Sequence, residues 1–195
     1  MRREPLPLGS ESMGRLIHLN GPPGIGKSTL ARRFADAHPG VLNCDVDVLR
    51  TLIGGWQSDF ARAGALIRPA ALAMIEAYLR NGNDVVFPQM LIDHVELTRF
   101  EQCATNAGAQ FVERVLMDTA NASVTRFHRR GHSDPENPWH DHVRAIVAAQ
   151  GGDASLAHKH AALLRLLVER PAAVVVTSSE GEIEQTYRSL IETLN

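Results

Sequence analysis

The sequence predicts an α/β protein whose parallel sheet is covered by helices on both faces. Three observations carry that expectation. Short runs rich in β-branched and apolar residues alternate with longer helical patterns along the chain, and such alternation makes strand–helix–strand crossovers and hence parallel strands. No internal repeat or low-complexity linker interrupts the 195 residues, which is enough chain for one domain with a substantial core. The first strand runs straight into a glycine–proline turn and then a helix, and sheets of this kind hold ligands beyond the carboxyl ends of their strands.

The elements follow in order. "RLIHL" (15–19) is the first strand, and 28–38 is a helix closed by Pro39-Gly40. "VLNCD" (41–45) is the second strand, with helices over 47–53 and 65–80. "DVVFP" (84–88) is the third strand, and the helix after it, 93–107, ends at Gly108, a residue suited to the left-handed turn that closes helices. "QFVERVLMD" (110–118) is the fourth strand. It precedes a helix over 122–130, the polar loop "GHSDPENP", and helices over 139–149 and 155–169. Pro171 stops the last of these, "AAVVVTS" (172–178) is the fifth strand, and 181–194 is the terminal helix. The expected domain spans 14–195, after a loose leader over 1–13 that lacks an apolar core of signal-peptide length.

Composition narrows the function classes. A formal net charge of -2 argues against a protein that coats nucleic acid through a broad basic surface. The two cysteines, Cys44 and Cys103, have no paired spacing, so they read as small buried hydrophobes in a reducing, cytoplasmic setting rather than a disulfide scaffold or zinc ribbon. No apolar run approaches the roughly 18 residues of a membrane span.

Gly21-Pro22-Pro23-Gly24-Ile25-Gly26-Lys27-Ser28 fits the G-x-x-x-x-G-K-[ST] pattern of a phosphate-binding loop between a strand and a helix. The two prolines have no amide hydrogen. The donors are therefore the amides of Gly24, Ile25, Gly26, Lys27, Ser28 and Thr29, with Gly21 opening the turn. Glycine lets the backbone approach a ligand without a Cβ in the way, and a helix N-terminus adds positive potential. Lys27 is expected on the β- and γ-phosphates of ATP and Ser28 on Mg²⁺.

"NCDVDVLR" puts Asp45, Asp47 and Arg50 at the end of the second strand. On a helix Asp47 and Arg50 share a face. Phosphoryl transfer needs a carboxylate to orient or deprotonate the acceptor hydroxyl, cations to hold the migrating group and oxygen ligands for the metal. Asp47 is the expected base, Asp45 supports Mg²⁺ through water, and Arg50 holds the acceptor. The competing reading is a capping aspartate beside a solvated arginine.

"GPPGIGKSTLARRF" and "VLNCDVDVLR" together resemble the small P-loop kinases: adenylylsulfate, gluconate and shikimate kinases, chloramphenicol phosphotransferase and polynucleotide 5′-kinase. The resemblance implies a P-loop three-layer sandwich, a five-stranded parallel sheet of order 2-3-1-4-5, and a lid over the phosphates. In several of these enzymes a strand-two Asp is the base and an Arg three residues on contacts the acceptor, as Asp47 and Arg50 are spaced. "VLMDTANASVTRFHRRG" is similar to their strand, helix and arginine-bearing lid, placed here at about 126–142. Arg126 and Arg130 are the expected phosphate-facing pair, Arg129 a weaker candidate, and Asp118 a cap.

The chain departs from that pattern after the third strand, where "VVFPQM" offers Gln89 in place of a metal-supporting Asp. Gln89 is expected to hydrogen-bond the acceptor. Trp56 and Arg68 lie in the stretch that forms the acceptor pocket in such kinases, and "TSSEG" after the fifth strand is expected near the adenine. The loop histidines (His128, His132, His140 and His142) are too irregularly spaced for zinc, and Trp139 and His140 are candidates for substrate contact. The expected activity is ATP-dependent phosphorylation of a hydroxyl on a small molecule, a metabolite or an antibiotic. The alternatives are a regulatory nucleotide-binding ATPase or a nucleotide or polynucleotide kinase.

Overall fold

The computed structural model describes residues 13–130 and 138–195. Five strands form one parallel sheet: β1 (Arg15–Asn20), β2 (Leu42–Asn43), β3 (Val85–Phe87), β4 (Gln110–Met117) and β5 (Val174–Thr177). Their order is β2-β3-β1-β4-β5, the order the resemblance implies. Leu16 of β1 sits between Val85 and Phe111, so β1 is the central strand. It is buried on both faces, as a doubly covered strand must be.

Side chains alternate across β1 and split the core in two. Leu16 joins Val85, Phe87 and Val115 against α3 (Phe60–Leu79), α4 (His94–Asn106) and α7 (Asp153–Glu169). Ile17 and Leu19 join Val86, Leu116 and Val176 against α1 (Lys27–Ala37) and α8 (Ile183–Glu192). Burying each such Leu, Ile or Phe contributes about 1.5–3 kcal/mol. A third, smaller cluster of Phe127, Val147 and Leu156 ties together α5 (Ala120–Arg129), α6 (Pro138–Ala149) and α7. These three helices follow β4 and roof the carboxyl end of the sheet.

Two elements depart from the sequence expectation. The second strand stops at Asn43, because Asp45 turns its carboxylate onto the Asp47 amide at 3.0 Å and N-caps α2 (Val46–Arg50). Turns rather than helix then carry the chain to Asp59. The long helix begins at Phe60, not 65, capped by Asp59, whose side chain accepts from the Arg62 amide at 2.9 Å. It passes through Pro69 without ending. Other boundaries shift by one or two residues, as helix ends do. Among the described residues no helix is long and apolar enough to cross a membrane. The leader at 1–12 and the loop at 131–137, with His132, lie outside the described residues.

Candidate active site

The phosphate loop is built by its glycines. Gly21, Gly24 and Gly26 have φ of 142°, 81° and 104°. At Gly24 a Cβ would also come within 2.9 Å of the Phe127 Cα, so the loop meets the α5 backbone only because that side chain is missing. Gly26 takes the N-cap position of α1, and Lys27 is its first residue. The Lys27 ammonium donates to the Gly21 and Pro22 carbonyls, both at 2.9 Å. Burial lowers its pKa to about 8, with repulsion from Arg130 adding to the effect.

Ile25 differs from its expected part. Its amide donates to the Pro22 carbonyl at 3.4 Å, its side chain is buried in the α1/α8 core, and its carbonyl accepts from Arg126 at 2.8 Å and Ser178 at 3.0 Å. It anchors the loop from below. Gly24, Gly26, Lys27, Ser28 and Thr29 line the cleft itself.

Two residues the sequence reading passed over hold the floor of the cleft. Asn20, fully buried at the end of β1, accepts from the Gly21 amide at 2.8 Å and the Leu91 amide at 3.1 Å. It donates to the Leu91 carbonyl at 2.8 Å. His18, also fully buried, lies 2.8 Å from the Gln89 carbonyl through Nε2. A carbonyl only accepts, so that nitrogen carries the proton. The signal was present: two polar side chains in a strand whose other inner positions are Leu and Ile. Between these braces Gln89 lines the cleft, and its buried Oε1 has no hydrogen-bond partner.

The carboxylates converge as expected, with a division of labour. Asp45 is buried and spends one oxygen as a cap. Asp47 sits 3.3 Å from Arg50. Burial raises the Asp47 pKa above the usual carboxylate range and Asp45 adds to this, while Arg50, Lys27 and Arg130 oppose it. Arg50 is 5% exposed. Its guanidinium lies 3.9 Å over the Phe60 ring and 5.9 Å from that of Trp139, and its Nε has no partner. Gly64, one turn beyond Phe60, makes room for it, since a Cβ there would meet Nη2 at 3.0 Å. Arg50 is therefore locked against an aromatic wall that also holds Trp56, 5.5 Å from Trp139, rather than being a solvated arginine.

Arg126 and Arg130 separate. Arg130 lines the cleft; burial lowers its pKa, and Asp47 and Asp45 pull the other way. Arg126 instead donates to the carbonyls of Ile25 and Ser178 and pairs with Asp118 at 3.4 Å. It braces α5 against the loop and the exit of β5. Arg129 is exposed and pairs with Glu180. Asp118 accepts from the Thr119 amide at 2.7 Å, but the cap of α5 is Thr119 itself, whose hydroxyl accepts from the Ala122 amide at 3.2 Å. Arg68 lines the cleft and pairs with Glu96 at 3.9 Å. His128 turns outward to Asp153, and among the described residues no group of three or more His, Cys, Asp or Glu could hold a metal ion. Both cysteines are buried and free, their pKa values pushed up by burial to about 12 and about 11.

The cleft encloses about 610 Å³. A second cleft of about 610 Å³ adjoins it, and Ser28, Thr29, Asp47, Arg130, Trp139 and His140 line both. Asp47 and Arg130 thus stand on the partition between two open spaces.

The AAA domain family (AAA_33) matches residues 16–150. The chain belongs to that family. The match takes in the phosphate loop, Asp47, Arg50, Arg126 and Arg130. No curated protein matches the chain. Solved structures do. A gluconokinase from Sinorhizobium meliloti 1021 is 18% identical over 94% of this chain and 96% of its own, with a TM-score of 0.56. The tunicamycin resistance protein of Deinococcus radiodurans is 17% identical over 93% and 96%, with a TM-score of 0.59. The Pnkp1/Rnl/Hen1 RNA repair complex contains a chain that is 21% identical over 83% of this one and 47% of its own, with a TM-score of 0.63. At such identities the likeness is one of fold, and the fold of this AAA_33 domain is that of the small P-loop kinases.

Proposed function

We propose that the protein is an ATP-dependent kinase that phosphorylates a hydroxyl on a small molecule, a metabolite or an antibiotic. One observation carries the reading. A half-buried carboxylate, Asp47, sits beside the phosphate loop among three cations, Lys27, Arg50 and Arg130, that act on it electrostatically. A regulatory ATPase positions water rather than an acceptor, and the pairing of Asp47 with an arginine locked in an aromatic wall would then lack a purpose.

The chain fits Mg·ATP. The half-buried Lys27 ammonium has only neutral carbonyls as hydrogen-bond partners, so a polyphosphate would supply the negative charge it lacks. The amides of Gly24 to Thr29, Ile25 aside, would cradle the phosphates, and Ser28 would ligate Mg²⁺ with Asp45 supporting it through water. Bound, Mg·ATP supplies the γ-phosphoryl group and neutralises part of its charge.

Asp47 takes the proton from the acceptor hydroxyl. Its raised pKa brings it nearer the working pH, where a general base is most effective. Arg50, held rigid by Phe60 and Gly64, orients the acceptor, and Gln89 offers it a hydrogen bond. Lys27 and Arg130 stabilise charge on the transferring group. Residues around 126–142 act as the lid of a single domain, and the setting is cytoplasmic. Arg126 contributes by positioning the lid.

The test is ADP release from ATP, with and without a panel of sugars, nucleosides, and aminocyclitol and nucleoside antibiotics. An acceptor should raise turnover and appear phosphorylated. Asp47→Ala should lower transfer about 10³-fold with ATP affinity kept. Turnover that no hydroxyl compound stimulates would sink the kinase reading, and transfer undiminished in Asp47→Ala would sink the base assignment.

A further inference from the structure

The described residues lining the main cleft include five cations, Lys27, Arg50, Arg68, Arg130 and Lys159, against a single carboxylate, Asp47. Lys27 and Arg130 act around Asp47 and the phosphate loop. Lys159 belongs to a different part of the wall. It comes from α7, and the next residue, His160, fastens that helix to the carboxyl end of β4 by bonding the Asp118 carbonyl at 2.9 Å. Its ammonium donates to Gln150 Oε1 at 2.8 Å, a neutral group just beyond α6. Among the described residues it makes no ion pair. Val143, Ile146 and Val147 of α6 line the same wall. A half-buried ammonium satisfied by one amide oxygen is short of its counter-charge. Burial already lowers its pKa, so an arriving anion would gain by fixing the proton there.

We infer that the acceptor carries an anionic group on an apolar body, and that Lys159 with Gln150 forms the subsite that binds its carboxylate or phosphate beside the valine-lined wall of α6. This deepens the kinase reading and rests on it. Lys159 is a specificity-determining residue here, and it takes no part in the transfer. Gln150 accepts from the ammonium and so aims it, and its neutrality leaves the positive charge available to the ligand.

The protein carries its own reporter. Its only two tryptophans, Trp56 and Trp139, lie together in the aromatic wall, and Trp139 lines the cleft. Tryptophan fluorescence is titrated with matched hydroxyl compounds: phenyllactate against its methyl ester, and hydroxyhexyl phosphate against hexanediol. The two pairs distinguish a carboxylate site from a phosphate site. The anionic member should bind about tenfold more tightly, and Lys159→Gln should abolish that difference with ATP affinity unchanged. Lys159→Arg should keep it, and Gln150→Glu, at an exposed position, should remove it by filling the site with charge. Equal binding of both members of each pair, no binding of either pair, or a preference that survives Lys159→Gln overturns the inference. So does a matching loss of ATP affinity in Lys159→Gln, which would give the lysine to the nucleotide. Anion-selective binding without phosphoryl transfer to any compound would instead count against the kinase reading.

Discussion

The two sides of the cleft are made differently. The phosphate side is a local device: one strand, one loop and the first turn of one helix, contiguous from Arg15 to Thr29 and pinned by Asn20 and by the anchored Ile25 carbonyl. The side proposed for the acceptor is assembled from afar. Arg50 of α2 lies between Phe60 and Gly64 of α3 and faces Trp139 of α6, while Lys159 comes from α7. Contiguity makes the first side a motif. The second exists only once distant helices have packed, and its residues carry no spacing rule. The phosphate loop is written locally, and the opposite wall of the cleft is written in tertiary contacts.

The sharpest way to break this comparison is through two arginines one turn apart. Arg130→Ala should leave stability nearly unchanged and lower phosphoryl transfer about 10³-fold, the scale for losing a cation that stabilises transferring phosphate. Arg126→Ala should do the reverse. It leaves the Ile25 and Ser178 carbonyls without their charged donor, and urea unfolding should record a loss of about 2 kcal/mol, with transfer falling only as far as the loop loosens. If Arg126→Ala were as stable as the parent and inactive, the brace assignment would fail.

Gly64→Ala probes the assembled side. The added Cβ would press on the Arg50 guanidinium at 3.0 Å, so acceptor KM should rise about tenfold for a displacement costing about 1–2 kcal/mol, with ATP affinity untouched. Steady-state kinetics with each substrate varied separates the two. A rise confined to the KM for ATP would mean that Arg50 serves the nucleotide.

The smallest effect is one of pH, on the local side. Lys27 is lowered to about 8, and phosphate binds its protonated form. ATP affinity should therefore weaken as pH rises through about 8, with proton uptake on binding just above that value. Lys27→Met should flatten the slope. For folding the sign is opposite. The native state holds this proton less tightly than the unfolded chain, so Lys27 penalises stability below about 8, and the penalty fades as pH rises toward 10.5. Calorimetry in buffers of different ionisation enthalpy measures the uptake directly.

The sheet was legible in the sequence because its signal is local. Alternating runs, the loop glycines and the closing Pro39 and Gly108 each act on their own neighbours. Asp47 and Arg50 were legible because three residues on a helix share a face. The 60–79 helix was read five residues short, although Asp59 is a proper cap. The glycine-rich, polar stretch before it masked the signal. Gly64 looked like an ordinary helix residue and could not be read as a seat for Arg50, because that contact joins two helices. Arg126 and Arg130 have the same chemistry and differ only in what lies opposite them, which no spacing records.

Asn20 has one further consequence. Its single amide group closes onto the Gly21 amide on one side and onto both backbone groups of Leu91 on the other. The separation between the phosphate loop and the segment that carries Gln89 is therefore set by a side chain buried in the sheet. In-line displacement tolerates little error along the line joining nucleophile and phosphorus. The alignment tolerance of this site is thus a property of its central strand, which fixes the gauge between the two halves.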